Sequence, residues 1–223
     1  MKKFSWPDPP GQTAFPIARA GYPFIFAGAF VTAVFALLGL VIPAVIGLFV
    51  TSSICCFFRD PDRVVSNKTG AVVSPADGKI IKAELIEENR FTEGKCIKIS
   101  IFMSILNVHV NRIPYAGKIM DVCYYPGKFF RANLEKASKE NEHNAIFLET
   151  ENGHSICFVQ IAGLIARRII CGLQQGDTVG RGQRFGIICF GSRLDVYLPV
   201  DFDISVSIGD KVKAGNSILG FLS

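Results

Sequence analysis

A glycine followed by a serine, Gly191-Ser192, stands between two apolar runs of β type, 185–190 and 194–198. These two residue types can do chemistry on their own backbone. Held in a strained turn, such a pair can rearrange, the serine oxygen attacking the glycine carbonyl so that the amide becomes an ester. Elimination then breaks the chain and leaves a pyruvoyl group at the new N-terminus. Glycine suits the step because no Cβ shields its carbonyl and its backbone accepts strained dihedrals. The commoner role of such a serine is a solvated turn hydroxyl, so the pair gains meaning only from its company.

That company includes two further polar groups of catalytic type. Asp77 lies in the turn signal Pro75-Ala76-Asp77-Gly78, where an Asx turn is the plainest reading. His109 lies in the alternating run Val108-His109-Val110, so its side chain is expected on the face opposite both valines. A lone strand histidine is often a structural hydrogen-bonding group, yet a neutral imidazole can also take a hydroxyl proton or return one to a carbanion. Arg167 and Arg168 close the apolar run 161–166, either as a solvated strand end or as a site for a carboxylate or phosphate. His154 reads as a loop residue. The seven cysteines include no CxxC pair, so neither a disulfide framework nor a metal site is expected; they read as buried thiols of a reducing compartment.

The elements that must position these groups divide in two. Residues 1–20 form a proline-rich tail carrying Lys2, Lys3 and Arg19. From Ala20 to Phe58 there is no charged residue or histidine. That block is too long for one helix across a bilayer core of ~30 Å, which about 20 residues span. A hydrophobic helical hairpin over 21–58 fits, with legs at 22–38 and 43–58. Positive residues precede and follow it, at Lys2, Lys3, Arg19, Arg59 and Arg63, which puts both ends on the cytoplasmic side of a cell membrane. The mean hydropathy of +0.34 agrees with a membrane element. A net charge of +5 without a long basic block argues against nucleic acid.

From residue 59 to 223 the texture is mainly β, with short runs at 71–74, 79–85, 96–102, 106–110, 118–124, 145–149, 155–161 and 167–171. Only 128–141 has weak helical character. Gly176-Asp177-Thr178-Val179-Gly180-Arg181-Gly182 and Gly209-Asp210-Lys211-Val212-Lys213-Ala214-Gly215 share the pattern G-D-x-V-x-x-G. The fold class is therefore mainly β, barrel-like with duplicated β modules and some α+β character, behind the helical hairpin.

Three segments occur in order behind the apolar block: Val73-Ser74-Pro75-Ala76-Asp77-Gly78-Lys79-Ile80, Asn107-Val108-His109-Val110-Asn111-Arg112-Ile113-Pro114, and Arg184 to Pro199. Together they resemble the short, proteobacterial and archaeal type of phosphatidylserine decarboxylase over nearly the whole chain. The resemblance implies self-cleavage between Gly191 and Ser192 into chains 1–191 and 192–223, which stay together as a heterodimer. It implies a covalent pyruvoyl cofactor derived from Ser192 and a membrane phospholipid as substrate. It gives Asp77 the orienting of a base, and His109 a part in cleavage or decarboxylation. Two departures stand out. Longer family members carry a second histidine where this chain has Arg112, and the family commonly has Asn-Glu-Arg where this chain has Asn141-Glu142-His143, so His143 stands in a substrate-binding position without a fixed charge. The alternative class is a non-enzymatic, membrane-tethered β-rich adaptor. A lipid hydrolase would require G-x-S-x-G, which Phe190-Gly191-Ser192-Arg193-Leu194 lacks.

Overall fold

The computed structural model describes residues 17–87, 90–92, 94–130, 140–164, 168–189 and 192–223. The chain separates into two compact units between Asp62 and Arg63. In the first, helices α1 (Tyr22–Leu37) and α2 (Val41–Phe57) form the hairpin, close to the expected legs. Gly39, at φ +70°, makes the reversal. Glycines let the helices approach: a Cβ on Gly28 would lie 2.7 Å from Thr51 Oγ1, and one on Gly47 would lie 2.6 Å from Thr32 Oγ1. The outward faces are apolar, with Leu37 88%, Phe49 75% and Phe26 71% exposed. Such a surface suits lipid better than water. The stretch Arg19–Leu37 is long and apolar enough to cross a membrane, whereas α2 is shorter.

The second unit is built of strands: β1 (Ala71–Val73), β2 (Gly78–Ile86), β3 (Cys96–Met103), β4 (Val110–Arg112), β5 (Gly117–Tyr125), β6 (His143–Glu149), β7 (Ser155–Ala162), β8 (Ile169–Cys171), β9 (Thr178–Val179), β10 (Arg184–Ile188), β11 (Ser192–Leu198), β12 (Asp203–Ile204), β13 (Lys211–Val212) and β14 (Ile218–Phe221). An eight-stranded sheet runs β13-β2-β3-β11-β7-β6-β5-β9, and two three-stranded sheets run β1-β14-β12 and β4-β10-β8. One aliphatic core joins all three. Ile99, Ile101, Leu194, Val196, Phe158 and Ile146 of the large sheet meet Val72, Leu219 and Phe185 of the small ones. The Phe158 and Phe185 rings touch edge to face at 5.1 Å.

The strand orders are two copies of one pattern. From either edge the large sheet reads as a G-D-x-V strand, a Gly-Lys-Ile strand, its hairpin partner, then a central strand. The duplication extends to single atoms. Ile80 N–H donates to Asp210 O at 2.9 Å and Ile119 N–H to Asp177 O at 2.8 Å. A Cβ on Gly78 would lie 2.3 Å from Phe102 O, and one on Gly117 would lie 2.3 Å from Glu149 O. One copy is continuous, β4 to β10. The other is split, β1 to β3 and then β11 to β14, so the first copy is inserted into the second. The chain leaves the outer copy after Met103 and re-enters it at Ser192.

Three local expectations are corrected. The run 106–110 is not a strand up to Val110: Asn107 Oδ1 accepts the Ser104 N–H and hydroxyl, each at 2.8 Å, making a turn there, and β4 begins at Val110. In the supposed helix 128–141, Lys128 instead makes a bridge with Asn141, and 131–139 lies outside the described residues. The Gly-Ser-Arg break is also shorter than expected, because Ser192 and Arg193 already belong to β11.

The duplicated glycines give a direct test. A methyl group at Gly78 or Gly117 meets a backbone carbonyl that cannot move without breaking the neighbouring ladder. Gly78→Ala and Gly117→Ala should each cost on the order of 2–3 kcal/mol, whereas Gly180→Ala, whose Cβ meets only Gln183 Oε1 at 3.7 Å, should stay within about 0.5 kcal/mol. Urea midpoints of the detergent-solubilised chain would show whether the two glycine sites respond alike.

Candidate active site

Strand β11 is central, paired with β3 from Ser192↔Met103 to Leu198↔Ile97 and with β7 from Ser192↔Ala162 to Tyr197↔Cys157. Alternation then divides its side chains. Leu194, Val196 and Leu198 enter the main core, and Ser192 shares their face. Its hydroxyl is wholly buried and donates to the Met103 thioether at 3.2 Å. The solvated turn hydroxyl anticipated as the plain reading is therefore absent.

Arg193, Asp195 and Tyr197 occupy the opposite face and are also buried. Arg193 binds the Asp195 carboxylate through Nε at 2.5 Å and Nη2 at 2.9 Å, and Nη2 also donates to Ser100 Oγ at 3.0 Å. Lys98 Nζ stands 3.2 Å from Asp195 Oδ2. Charges so buried persist only when paired, and loss of one partner typically costs about 3–5 kcal/mol. The cluster holds the first residues of β11 between their neighbours. Its position beside Asp195, together with burial, raises the Tyr197 phenol well above the ordinary range, burial being the larger cause.

His109 stands at the other junction between the copies, just before β4. Asn107 O lies 2.9 Å from its Nδ1. A carbonyl only accepts, so Nδ1 carries the hydrogen and Nε2 is the basic nitrogen. Val108, His109 and Val110 are all buried, so both faces of the expected alternation are covered. Asp77 is buried too, but its oxygens do not close an Asx turn. Oδ1 accepts the Ala214 N–H at 2.7 Å and Oδ2 pairs with Arg63 Nη2 at 2.9 Å. Neither oxygen bonds His109 or Ser192. Asp77 thus ties the Pro75–Gly78 turn to the second G-D-x-V repeat.

The remaining candidates are dispersed. His143 pairs with Ile161, which pairs with Arg193, placing it on the sheet face opposite Ser192. Its ring stacks on Tyr125 at 4.7 Å and meets Phe91 edge-on at 6.0 Å. Its Nδ1 is 2.6 Å from Asn141 O, and its buried Nε2 has no hydrogen-bond partner among the described residues. Burial lowers its pKa below the ordinary 6.5; the Asn141 carbonyl opposes the shift and the Arg90 charge adds to it. Arg168 is exposed, and its carbonyl accepts the Cys189 N–H at 3.1 Å, three residues before Ser192. Gly191 and Arg167 lie outside the described residues.

The structure adds residues that the sequence reading passed over. Met103, Asn111, Gln160 and Asn144 connect Ser192 to a line of buried amides. Their available signal was a carboxamide interrupting an apolar strand, as Gln160 does in Phe158-Val159-Gln160-Ile161-Ala162.

Comparison with known proteins gives one consistent result. A family model described as phosphatidylserine decarboxylase matches residues 50–220. The phosphatidylserine decarboxylase proenzyme of Desulfotalea psychrophila is 51% identical over 209 residues, covering 94% of this chain and 98% of that protein. That of Geotalea uraniireducens is 50% identical over 207 residues, covering 93% and 97%. The Nitrosomonas eutropha protein of the same name is 48% identical over 210 residues, covering 91% and 94%.

The buried, neutral His143 has a consequence for stability. Unfolded, the imidazole takes up a proton near its ordinary pKa of 6.5; folded, it resists. Stability drawn from this site is complete above that pH and is lost as pH falls through it. His143→Phe keeps an aromatic ring between Tyr125 and Phe91 but removes the titration. Its melting temperature should drop less than that of the unsubstituted chain between pH 7.5 and 5.5, and equal drops would refute the assignment.

Proposed function

The chain belongs to the phosphatidylserine decarboxylase family, and on that premise we propose that it converts phosphatidylserine to phosphatidylethanolamine with a pyruvoyl group made from its own Ser192. The observation that carries the reading is the placing of Ser192. It is a buried hydroxyl at the head of a central strand, directly after a glycine, where the inserted copy gives way to the outer one.

Maturation follows from the atoms present. Ser192 Oγ attacks the Gly191 carbonyl while its proton passes to a base, and the peptide C–N bond gives way to an ester. Loss of the Ser192 α-proton expels Gly191 as a carboxylate and leaves a dehydroalanine, which water hydrolyses to a pyruvoyl terminus and ammonia. His109 is the base we assign, from its junction position and its Nδ1 bond to Asn107, which leaves Nε2 as the proton acceptor. Asp77 acts at a remove, fixing the turn through Arg63 and Ala214.

The site fits the resulting group. Residue 192 is flanked by Met103 and Ala162, and a pyruvoyl unit needs no more room than the serine it replaces. When present, the group supplies a ketone that condenses with the substrate amine and a neighbouring carbonyl that receives the electron pair left by CO₂. His109 then returns a proton to the substrate carbon that has lost CO₂. Arg168, exposed near residue 189, is the described cation best suited to a phosphate or carboxylate. A diacyl substrate resides in a bilayer, which accounts for the apolar helix pair. The flanking Lys2, Lys3, Arg19, Arg59 and Arg63 support a cytoplasmic catalytic unit.

After cleavage the outer copy would consist of β1–β3 from one chain and β11–β14 from the other. Such interleaving explains why the fragments remain a heterodimer.

Intact mass under denaturing, reducing conditions tests the reading. The purified chain should give fragments 1–191 and 192–223, the smaller carrying pyruvoyl rather than serine, and Ser192→Ala should stay whole. His109→Ala should slow cleavage by about 10²–10⁴-fold. A folded, membrane-extracted chain that stays uncut would refute the proposal.

A further inference from the structure

Around Ser192 the structure holds a polar line to which the roles assigned above give no part. Asn144 Nδ2 donates to Gln160 Oε1 at 3.3 Å, Gln160 Nε2 donates to Asn111 Oδ1 at 2.9 Å, and Asn111 Nδ2 points to Met103 Sδ at 3.8 Å. The same sulfur receives the Ser192 hydroxyl at 3.2 Å. All five residues are buried, Asn144 at 3% exposure and the other four at 0%. They come from β6, β7, β4, β3 and β11, and so from both copies and both junctions.

We propose that Met103 sets the Ser192 hydroxyl for self-cleavage, and that Asn111 and Gln160 are positioning residues acting through Met103. The inference rests on the self-processing reading above. Its first support is direction. Gln160 and Asn111 each spend the oxygen on the amide before and the N–H on the group after, so the orientation of both carboxamides is determined by the line itself. Gln160 therefore obliges Asn111 to present a donor, rather than an oxygen, to the sulfur.

The second support is the chemistry of the sulfur. A thioether accepts a hydrogen bond weakly and is not a base at any ordinary pH. It can orient the Ser192 hydrogen without removing it, leaving the oxygen lone pairs on the side away from Met103 and the proton still available to a base. An unbranched methionine would otherwise shift among rotamers. The donor from Asn111, held by Gln160, gives that flexible side chain a fixed place. Gly186 adds to the fit, since a Cβ there would lie 2.9 Å from Gln160 Nε2.

The test is the first-order rate at which newly synthesised full-length chain, inserted in phospholipid vesicles, converts to its two fragments. Met103→Leu and Gln160→Met remove the sulfur contact and the amide link with little change of volume. Each should slow cleavage about tenfold or more, the scale expected when a reacting atom loses its placement. If Gln160 acts through Met103, the double variant should be no slower than the slower single one. A purely structural pair would instead multiply its effects, and that outcome overturns the proposal. Cleavage of Met103→Leu at the unsubstituted rate also overturns it, even if Gln160→Met fails to fold. An unsubstituted chain that never cleaves refutes the self-processing reading and this inference with it, whereas normal cleavage with unchanged variants refutes the inference alone.

Discussion

The ladder that strand β11 makes with β3 and β7 is the constraint on which the rest depends. It joins the two copies across the middle of the large sheet, and its first pair is Ser192 with Met103. A strand so placed must satisfy its backbone on both sides and bury side chains on both faces. The core face takes Leu194, Val196 and Leu198. The other face takes a charged pair that is tolerable in the interior only because Arg193 and Asp195, two residues apart, meet on one side of the strand. The position of Ser192 is thus set by interactions along the whole strand and by neither neighbouring loop alone.

Insertion of one copy into the other then sets where His109 and Ser192 fall along the chain path. A continuous copy closes β6 to β7 by the short hairpin Thr150–His154, with Glu149 opposite Ser155. In the split copy the corresponding gap lies between Met103 and Ser192, and the entire inserted copy starts and ends there. His109 belongs to the outgoing connection and Ser192 opens the return. The gap sets Met103 and Ser192, 89 positions apart in sequence, directly opposite each other.

Much of this was legible in the sequence, for physical reasons that differ by element. The apolar block could be read because it lacks charge over its whole length, and the G-D-x-V repeat because a positive-φ glycine begins each turn, Gly176 at 89° and Gly209 at 104°. The start of β4 was misplaced because Leu106 and Asn107 look acceptable in a strand, while Asn107 spends its side chain on a turn. The break at Gly-Ser-Arg was overdrawn because a buried arginine in a central strand is plausible only once Asp195 and Ser100 are known to receive it. The amide line was invisible for the same reason: Gln160 and Asn111 are separated by 49 positions, and neither has a local partner. Local pattern reveals elements, whereas long-range polar pairing appears only when the elements are assembled.

The duplication also shows where the two copies differ. Pro75-Ala76-Asp77-Gly78-Lys79-Ile80 and Pro114-Tyr115-Ala116-Gly117-Lys118-Ile119 begin equivalent strands, and their glycines make the same close approach to a neighbouring carbonyl. The same close approach therefore calls for glycine in both copies. The aspartate occurs in one only: Asp77 corresponds to Ala116. If folding alone required a carboxylate in this turn, the inserted copy would need one as well, yet its turn closes without it. Asp77 instead receives the Ala214 amide and Arg63, groups beside the split copy. The carboxylate is thus no requirement of the repeated turn but a tie specific to the copy that contains Ser192, joining that turn to Ala214 and Arg63.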